Sequence, residues 1–416
     1  MDRRANNRSG FSFIREMNRQ TQTVESDKRV KAPVMDRLLI TLFFCAETFS
    51  RSLLLAIIPL ELFRHLGSTQ RVTLFYAVVA IFGLGNSILV PTLLKRLGVR
   101  QIIAVAGVLT TLAAVLMVTE SPAGTALGLV VRVFASACIE ISMLAYIMDR
   151  IPRHRLGAFE PIRIFFQGGC IAVAPWFGFQ LHEHVGAATP YIVSAIGGLV
   201  MLGLALAQLP TQQLDGKAIA AARHPITAVR RFFVQPRLRL AWFLAVIRSS
   251  FWVLFYIYAP IFSVACGWSP SSAAATLSLG TSTLFFVALW GRLVRMIGAR
   301  PVLIAGYGSA AIGLVATTIA AWWMLAIAPV LLVGAAFGAS IIDGPGNIPF
   351  LRATRPHERP AMAGIYITYR DVSQFVPVAV FSLILTVAEP TTAFLAFAAV
   401  LFGAAWLSRL IHPRLR

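Results

Sequence analysis

The stretch that decides the fold is "LLITLFFCAETFSRSLLLAIIPL", residues 38–60, a nearly continuous run of Leu, Ile, Phe and Ala. At about 1.5 Å per helical residue, a run of this length crosses a bilayer core of roughly 30 Å. Glu47 and Arg51 nevertheless lie in its middle, where a charge costs about 2.5 to 3.5 kcal/mol on insertion scales. The run therefore predicts a membrane-spanning helix, and the two charges indicate a function that requires them.

The composition of the whole chain is that of a membrane protein. The chain has 416 residues, of which 57% are hydrophobic and 13% charged, and its mean hydropathy is +0.75. A soluble globular protein of this size is far more polar. The net charge of +20 does not indicate nucleic acid, because the basic residues are spread through short loops between apolar runs. The expected surroundings are therefore the lipid bilayer, with no nucleic acid partner.

Further apolar segments of spanning length follow, and their longest connection divides them into two sets of six. We therefore predict an all-α membrane protein with twelve transmembrane helices in two bundles. The predicted domains are an N-terminal tail (1–37), an N-terminal half (38–209), a central loop (210–238), a C-terminal half (239–409) and a C-terminal tail (410–416). The predicted helices 1 to 12 cover residues 38–62, 72–92, 101–118, 124–147, 164–181, 189–209, 239–263, 271–291, 301–321, 324–343, 362–386 and 391–409.

The basic residues define the predicted topology, because cytoplasmic loops carry the excess of Lys and Arg. Outside the predicted helices, every Lys and Arg except Arg64 and Arg71 lies in a tail or in a loop that joins an even-numbered helix to the next. Both termini and the central loop are therefore predicted to be cytoplasmic. The N-terminal tail lacks the apolar core of a signal peptide. We expect helix 1 to be retained and the protein to lie in a cell membrane, the inner membrane of a bacterium.

An internal repeat supports the division into halves. Residues 93–103 read "LLKRLGVRQII" and residues 293–303 read "LVRMIGARPVL", and the two align without gaps at an offset of 200. Each stretch joins the second and third helices of its half. Such repeats are typical of two-fold transporter architectures, in which the central site lies between the halves.

Both stretches resemble the loop signature of the major facilitator superfamily, approximately G-x-L-a-D-r-x-G-r-k. The family's Asp is replaced by Lys95 in the first copy and Arg295 in the second, so the acidic partner of its gating salt bridges is missing. The resemblance covers residues 38–410 and implies two pseudo-symmetric bundles, transport, and a gating role for Gly98, Arg100, Gly298 and Arg300. The other matching positions are Pro91, Leu93 and Arg96 in the first copy and Gly291 and Leu293 in the second.

Helix 5 contains a second partial match. The sequence "APWFGFQL", residues 174–181, resembles the G-P-x-x-G-G-x-L element of proton-coupled exporters and keeps Pro175 and Gly178. The alternative interpretation is that the proline merely kinks the helix and the glycine merely permits close packing. Arg132 of helix 4 lies where the family often carries a buried arginine, although the surrounding "RVFASA" lacks the family's glycine.

Charged residues well inside the predicted helices, away from their ends, are concentrated in helices 1, 4, 7 and 10, which line the central cavity in this family. None of these residues lies in helices 3, 6, 9 and 12, which face lipid in the family. A charge that faces a hydrated cavity avoids most of its desolvation cost, so these residues are the candidate site. They are Glu47 and Arg51 in helix 1, Arg132 and Glu140 in helix 4, Arg248 in helix 7, Asp343 in helix 10, and Arg370 and Asp371 in helix 11.

The spacing of these residues suggests roles. Glu47 and Arg51 are four apart and share one helix face, so they form either a self-neutralising pair for insertion or a switch in which Arg51 engages the solute and Glu47 takes a proton. Proton coupling is assigned to Glu47, Glu140 and Asp371. Asp343 precedes "GPGN" and has either a cavity role or a turn-forming one. The remaining candidates for substrate binding or cavity ion pairs are Arg51, Arg132, Arg248 and Arg370, of which Arg370 and its neighbour Asp371 are expected to pair with different helices.

We expect a secondary active transporter, not an enzyme, that moves a small organic solute by alternating access, with proton coupling and with export favoured over uptake. The alternatives are an importer of a siderophore, sugar or organic acid, and a non-transporting sensor or assembly factor on the same fold. The sequence contains no phosphate-binding loop, and its four cysteines have no metal-ligand spacing. No cofactor or metal is therefore expected, and the chain is expected to act as a monomer.

Overall fold

The computed structural model describes residues 34–83, 86–150, 153–209, 225–354, 362 and 365–411. The predicted N-terminal tail up to residue 33, residues 210–224 of the central loop and residues 412–416 of the C-terminal tail lie outside the described residues. In the described part, the regular secondary structure is helical and no strand is formed.

The helices overlap each of the twelve predicted segments. We call the helix or helices that cover a predicted segment by its number, span 1 to span 12. Helix Pro225–Val234 precedes span 7. The spans are 1, Val34–Ser52 and Ile57–Leu66; 2, Thr69–Gly83 and Asn86–Leu97; 3, Val99–Met117; 4, Pro122–Arg150; 5, Arg153–His184; 6, Thr189–Gln208; 7, Pro236–Ala265; 8, Pro270–Ser282, the 3-10 turn Thr283–Phe286 and Val287–Ile297; 9, Ala299–Trp323; 10, Ala328–Asp343 and Ile348–Ala353; 11, Tyr369–Ile384; and 12, Pro390–Leu407 with the 3-10 turn Ser408–Leu410.

Nine helical stretches among the described residues are long and apolar enough to cross a membrane. Spans 2, 5 and 11 are not among them. The apolar helix Thr69–Gly83 is short, and Tyr369–Ile384 has only 16 residues because the chain turns at residues 367–368. Span 5 is long, but its first turns are polar. The chain is therefore a multi-pass α-helical membrane protein, and the predicted number of twelve spans is consistent with it.

The spans of the two halves pack in matching ways. Span 3 packs on spans 4 and 6, and span 9 packs on spans 10 and 12 in the same manner. Between the halves, span 5 packs on span 8 and span 2 packs on span 11. The repeat relates these two contacts, because it pairs span 2 with span 8 and span 5 with span 11. The fold is therefore the predicted pair of pseudo-symmetric bundles, joined along spans 2, 5, 8 and 11.

The apolar core is shared between the halves at only one membrane side. We call the side on which Val34 lies the inner side and the opposite side the outer side. One hydrophobic cluster joins the outer parts of spans 1, 2, 3, 5 and 6 to the C-terminal half. On the inner side, one cluster belongs to the N-terminal half and two others belong to the C-terminal half. The halves are thus closed against each other outside and have separate cores inside.

The repeated loop has the same backbone conformation in both halves. Gly98 has φ 80° and ψ 168°, and Gly298 has φ 94° and ψ 162°. Residues with side chains rarely adopt a positive φ of this kind, so glycine is required at both positions. The sequence repeat is therefore also a structural repeat, and it places the first turns of spans 3 and 9 in equivalent positions.

Candidate transport site

The charged pair of the opening stretch lies in a polar pocket between spans 1, 4 and 5. Arg51 Nε donates to Glu47 Oε1 at 2.9 Å, and the Glu47 side chain is only 3% exposed whereas that of Arg51 is 29% exposed. Ser136 of span 4 donates to Glu47 Oε1 at 2.8 Å, and Thr48 donates to Oε2 at 3.2 Å. Gln167 of span 5 donates to the Thr48 hydroxyl at 2.9 Å. The carboxylate is thus buried and well hydrogen-bonded, while its arginine reaches toward solvent.

Arg132 is held by serine hydroxyls. Its guanidinium donates to Ser194 Oγ at 2.8 Å and to Ser50 Oγ at 3.1 Å, and the residue is 5% exposed. Each serine hydroxyl also lies within 2.9 Å of the other serine's carbonyl oxygen, which fastens span 1 to span 6. Among the described residues, Arg132 makes no ion pair with a carboxylate. Hydroxyl partners carry no countercharge, and Glu47, which acts on Arg132 electrostatically, is already paired with Arg51, so the site keeps a net positive charge at its base.

A second network joins spans 7 and 10. Arg248 Nε lies 3.5 Å from Asp343 Oδ1, and Trp252 Nε1 donates to Asp343 Oδ2 at 2.9 Å. Helix Ala328–Asp343 ends at this aspartate, as "GPGN" predicted. Asn347 and Tyr366 extend the network, with the Arg248 guanidinium 3.3 Å and the Tyr366 hydroxyl 3.2 Å from Asn347 Oδ1. Asp343 therefore ends the helix and also pairs across the C-terminal half.

The third network crosses between the halves. Arg370 Nη1 of span 11 donates to Glu140 Oε2 of span 4 at 2.7 Å, and the side chains are 52% and 36% exposed. Glu140 also attracts the Arg51 guanidinium electrostatically. The carboxylates of Glu47 and Glu140 therefore act on one cluster of guanidinium groups. Asp371 is half-buried in the first turn of helix Tyr369–Ile384, where an acidic residue favours the helix dipole. Arg370 thus pairs with Glu140 of the other half, whereas its neighbour Asp371 lies in the first turn of a helix.

The proline of helix 5 creates a hydrogen bond between the halves. Pro175 has no N–H, so the carbonyl oxygen of Ile171 lacks its helical donor. Thr281 Oγ1 of span 8 lies 3.1 Å from that oxygen. The same hydroxyl also lies within 3.1 Å of the carbonyl oxygens of Leu277 and Ser278 in its own helix, and it has one proton to donate among the three acceptors. Close by, the backbone N–H of Trp176 donates to Ser278 Oγ at 2.9 Å. Side chains of span 8 therefore hydrogen-bond backbone groups of span 5 next to the proline.

Gly178 permits close packing where span 1 is interrupted. A Cβ atom at Gly178 would lie 2.1 Å from the carbonyl oxygen of Leu53, in the turn that separates the two helices of span 1. Only glycine fits such a backbone contact. The Pro175 and Gly178 geometry matches the packing interpretation of the helix 5 element, and it also lies at the junction of the halves.

The two loop arginines occupy equivalent positions with different surroundings. Arg100 Nη2 donates to the carbonyl oxygen of Leu206 at 2.7 Å, in the last turn of span 6, where a cation stabilises the helix end. Arg300 instead lines a cavity with Arg409 at the end of span 12. Span 12 is the repeat counterpart of span 6, so the same contact region holds one capping arginine in the first half and two arginines in the second.

Sequence reasoning missed the neutral partners of these charges. Ser50, Ser136 and Ser194 lie within spans, where small hydroxyl residues give no distinctive signal. A polar cluster at the outer side was also missed, in which the Tyr191 hydroxyl donates to Glu61 Oε2 at 2.7 Å. Three sets of predicted residues do come together: Glu47 with Arg51, Arg248 with Asp343, and Glu140 with Arg370.

Two matching helical bundles related by an internal repeat are the architecture of many secondary transporters. The family model described as Major Facilitator Superfamily matches residues 40–378. The chain belongs to that superfamily, and membership implies a transporter rather than an enzyme. No sequence of a curated protein matches the chain.

Solved transporter structures share the fold. A POT family transporter in complex with 5-aminolevulinic acid has a TM-score of 0.75 and 11% identity, over 92% of this chain and 96% of that chain. A D-xylose-proton symporter has a TM-score of 0.73 and 13% identity, over 92% and 99%. The nucleoside transporter NupG has a TM-score of 0.68 and 13% identity, over 90% and 98%. At these identities the likeness establishes the fold.

Proposed function

We propose that the protein is a proton-coupled secondary transporter that exports a small organic solute across a bacterial inner membrane, with both termini in the cytoplasm. The observation that carries this proposal is the Glu140–Arg370 ion pair, which crosses between the two halves at 2.7 Å. A rocking motion of the halves must break and remake such a contact. A titratable carboxylate at that position gives protons direct influence on the motion.

The arrangement of guanidinium groups supports a solute that carries a negative charge. Arg132 has only serine hydroxyls as partners among the described residues, and Arg51 is paired on one side and partly exposed on the other. Arginine presents a planar fork of donors that matches a carboxylate or phosphate group. The solute is therefore expected to place an anionic group near Arg51, between the halves.

Glu47 is the proposed proton site of this cavity. In the ionised form it accepts hydrogen bonds from Arg51 and Ser136. A proton on Glu47 removes the ion pair and releases Arg51 to the solute. The pair forms again once the solute has left Arg51 and the proton has left Glu47. Exchange of one positive partner for another avoids an uncompensated buried charge at each step.

The test uses purified protein in liposomes with a pH-sensitive dye inside and candidate organic anions outside. Glu47→Gln should abolish solute-driven proton movement while it keeps exchange of labelled for unlabelled solute, because glutamine mimics the protonated acid. Glu47→Asp should keep coupled transport with a displaced pH optimum. The matched control is Glu183→Gln, which alters an exposed acid at the outer end of span 5. Unchanged coupling in Glu47→Gln would refute the assignment.

The same assay separates the alternatives. In liposomes of known protein orientation, accumulation of solute on the side opposite the termini supports export. Accumulation on the side of the termini would assign the protein to uptake of a sugar, siderophore or organic acid. Absence of any solute flux, in protein that still binds solute, would assign it to a sensor or assembly role.

A further inference from the structure

A cavity at the inner side of the C-terminal half is lined by four arginines. It has a volume of about 250 Å³ and lies between the inner ends of spans 7, 9, 10 and 12, away from the transport site. We call it the arginine cleft. Its lining residues in the described part of the chain include no Asp or Glu. They are Arg237, Leu240, Ala241, Arg300, Pro349, Arg352, Ala353, Arg409, Leu410 and Ile411.

Three of the four arginines in the cleft have no acidic partner in the described part of the chain. They are Arg237, Arg300 and Arg409. Arg237 and Arg409 are exposed and Arg300 is half-buried, so water weakens the repulsion between their like charges, and an anion bound among them would replace that repulsion with attraction. A single ordered water needs about 15 Å³ of such space, so the cleft is large enough for a far bulkier group. Guanidinium forks match the paired oxygens of a phosphate.

The position of the cleft identifies the source of the phosphate. Leu410, which lines the cleft, is 67% exposed, and Trp406 one turn earlier on span 12 is 62% exposed. Exposed Trp and Leu at the end of a spanning helix mark the boundary where lipid headgroups lie. Basic pockets between transmembrane helices on the cytoplasmic side bind anionic lipid headgroups. The cleft therefore opens at headgroup depth, with an apolar wall for the adjoining acyl chain.

We propose that the arginine cleft is a binding site for a phosphate group, supplied by the headgroup of an anionic phospholipid. The bound headgroup would hold the inner ends of spans 7, 9, 10 and 12 together, where the cleft residues Ala241 and Ile411 belong to different apolar clusters. This site is independent of the solute and of the direction of transport. Its occupancy is measurable without a transport assay.

The experiment measures lipid binding to the purified full chain by native mass spectrometry and thermal unfolding. The probes are phosphatidylglycerol, phosphatidylcholine as the zwitterionic control, and inorganic pyrophosphate as the soluble phosphate. The test variant is Arg237→Gln with Arg409→Gln. The matched control is Arg239→Gln with Arg295→Gln, which removes two exposed inner-side charges that do not line the cleft.

We expect phosphatidylglycerol to bind the wild type and the control variant and to bind the cleft variant about 30-fold more weakly, at about 1 kcal/mol for each arginine. Binding of pyrophosphate with the same variant dependence, without binding of lipid, would keep the phosphate site and overturn its lipid source. Equal lipid affinity in all three proteins would overturn the proposal. If the double variant does not fold, Arg409→Gln alone, in an exposed turn, is expected to weaken binding about fivefold.

Discussion

The ion pair between the halves provides the sharpest test of the transport mechanism. Glu140 and Arg370 lie 2.7 Å apart, but their side chains are 36% and 52% exposed. Water screens a pair of this kind, so it contributes about 0.5 to 1 kcal/mol rather than the several kcal/mol of a buried pair. Because 1.4 kcal/mol is a factor of about ten, loss of the pair changes the ratio of two conformations about two- to fivefold. The pair can therefore break and form again as the halves move, and it does not trap the protein in one conformation.

Glu140→Gln should increase the population in which the inner ends of the halves lie further apart. Spin labels at positions 97 and 297 measure this directly, because Leu97 and Ile297 are exposed, related by the repeat and on opposite halves. The labels are introduced after replacement of the native cysteines, all four of which are free thiols. Arg370→Gln should have the same effect, because it removes the other charge of the pair.

A double-mutant cycle decides whether the effect belongs to the pair. If Glu140 and Arg370 act through each other, then the variant Glu140→Gln with Arg370→Gln should shift the distance distribution no more than either single change. Additive shifts would mean that each residue acts through other partners. Identical distributions in the wild type and Glu140→Gln, at every pH tested, would refute a role for this contact in the motion of the halves.

Three further predictions concern packing, substrate binding and topology. Gly178→Ala should destabilise the protein by about 1 to 3 kcal/mol in thermal unfolding, because its Cβ meets a backbone oxygen at 2.1 Å, whereas Gly168→Ala in the same span meets nothing within 4 Å and should not. Arg132→Ala should abolish transport of a labelled anionic solute with folding retained, and wild-type flux would assign Arg132 to structure alone. A single cysteine at position 217 should resist an impermeant thiol reagent outside intact cells, and labelling there would overturn the predicted topology.

The fold followed from the sequence because it depends on two simple periodic features. Apolar segments of bilayer length gave the helices, and the offset of 200 between the glycine loops gave the two halves. The break after Asp343 was predicted from "GPGN" and is confirmed, since its helix ends there. Span 11 was predicted as one segment from residue 362. Residues 362, 365 and 366 are helical, but a turn at residues 367–368 separates them from helix Tyr369–Ile384, and hydropathy alone does not register such a turn.

The candidate site was predicted only in part. Spacing alone identified the Glu47–Arg51 pair, because four residues make about one helical turn and their partner is local. The pairs Arg248–Asp343 and Glu140–Arg370 are separated by long stretches of chain. The sequence marked each of these residues as an unusual charge within a span, but which charge meets which depends on tertiary packing. The serine partners of Arg132 gave no signal at all, because serine is common in spanning helices.

The distribution of contacts over depth explains why the charges lie where they do. On the outer side, the halves share one continuous apolar core, whose separation exposes a large apolar area at about 25 cal/mol for each Å². On the inner side, the contacts between halves include the Glu140–Arg370 pair and the Phe165–Phe285 ring contact, at 5.6 Å between centroids. Breaking an exposed ion pair costs little free energy, whereas separating an apolar core costs much more. In the proposed mechanism, the free energy that opens the outer side comes from rearrangement at the buried charges between these two regions, where a solute anion and a proton would exchange partners with Arg51 and Glu47.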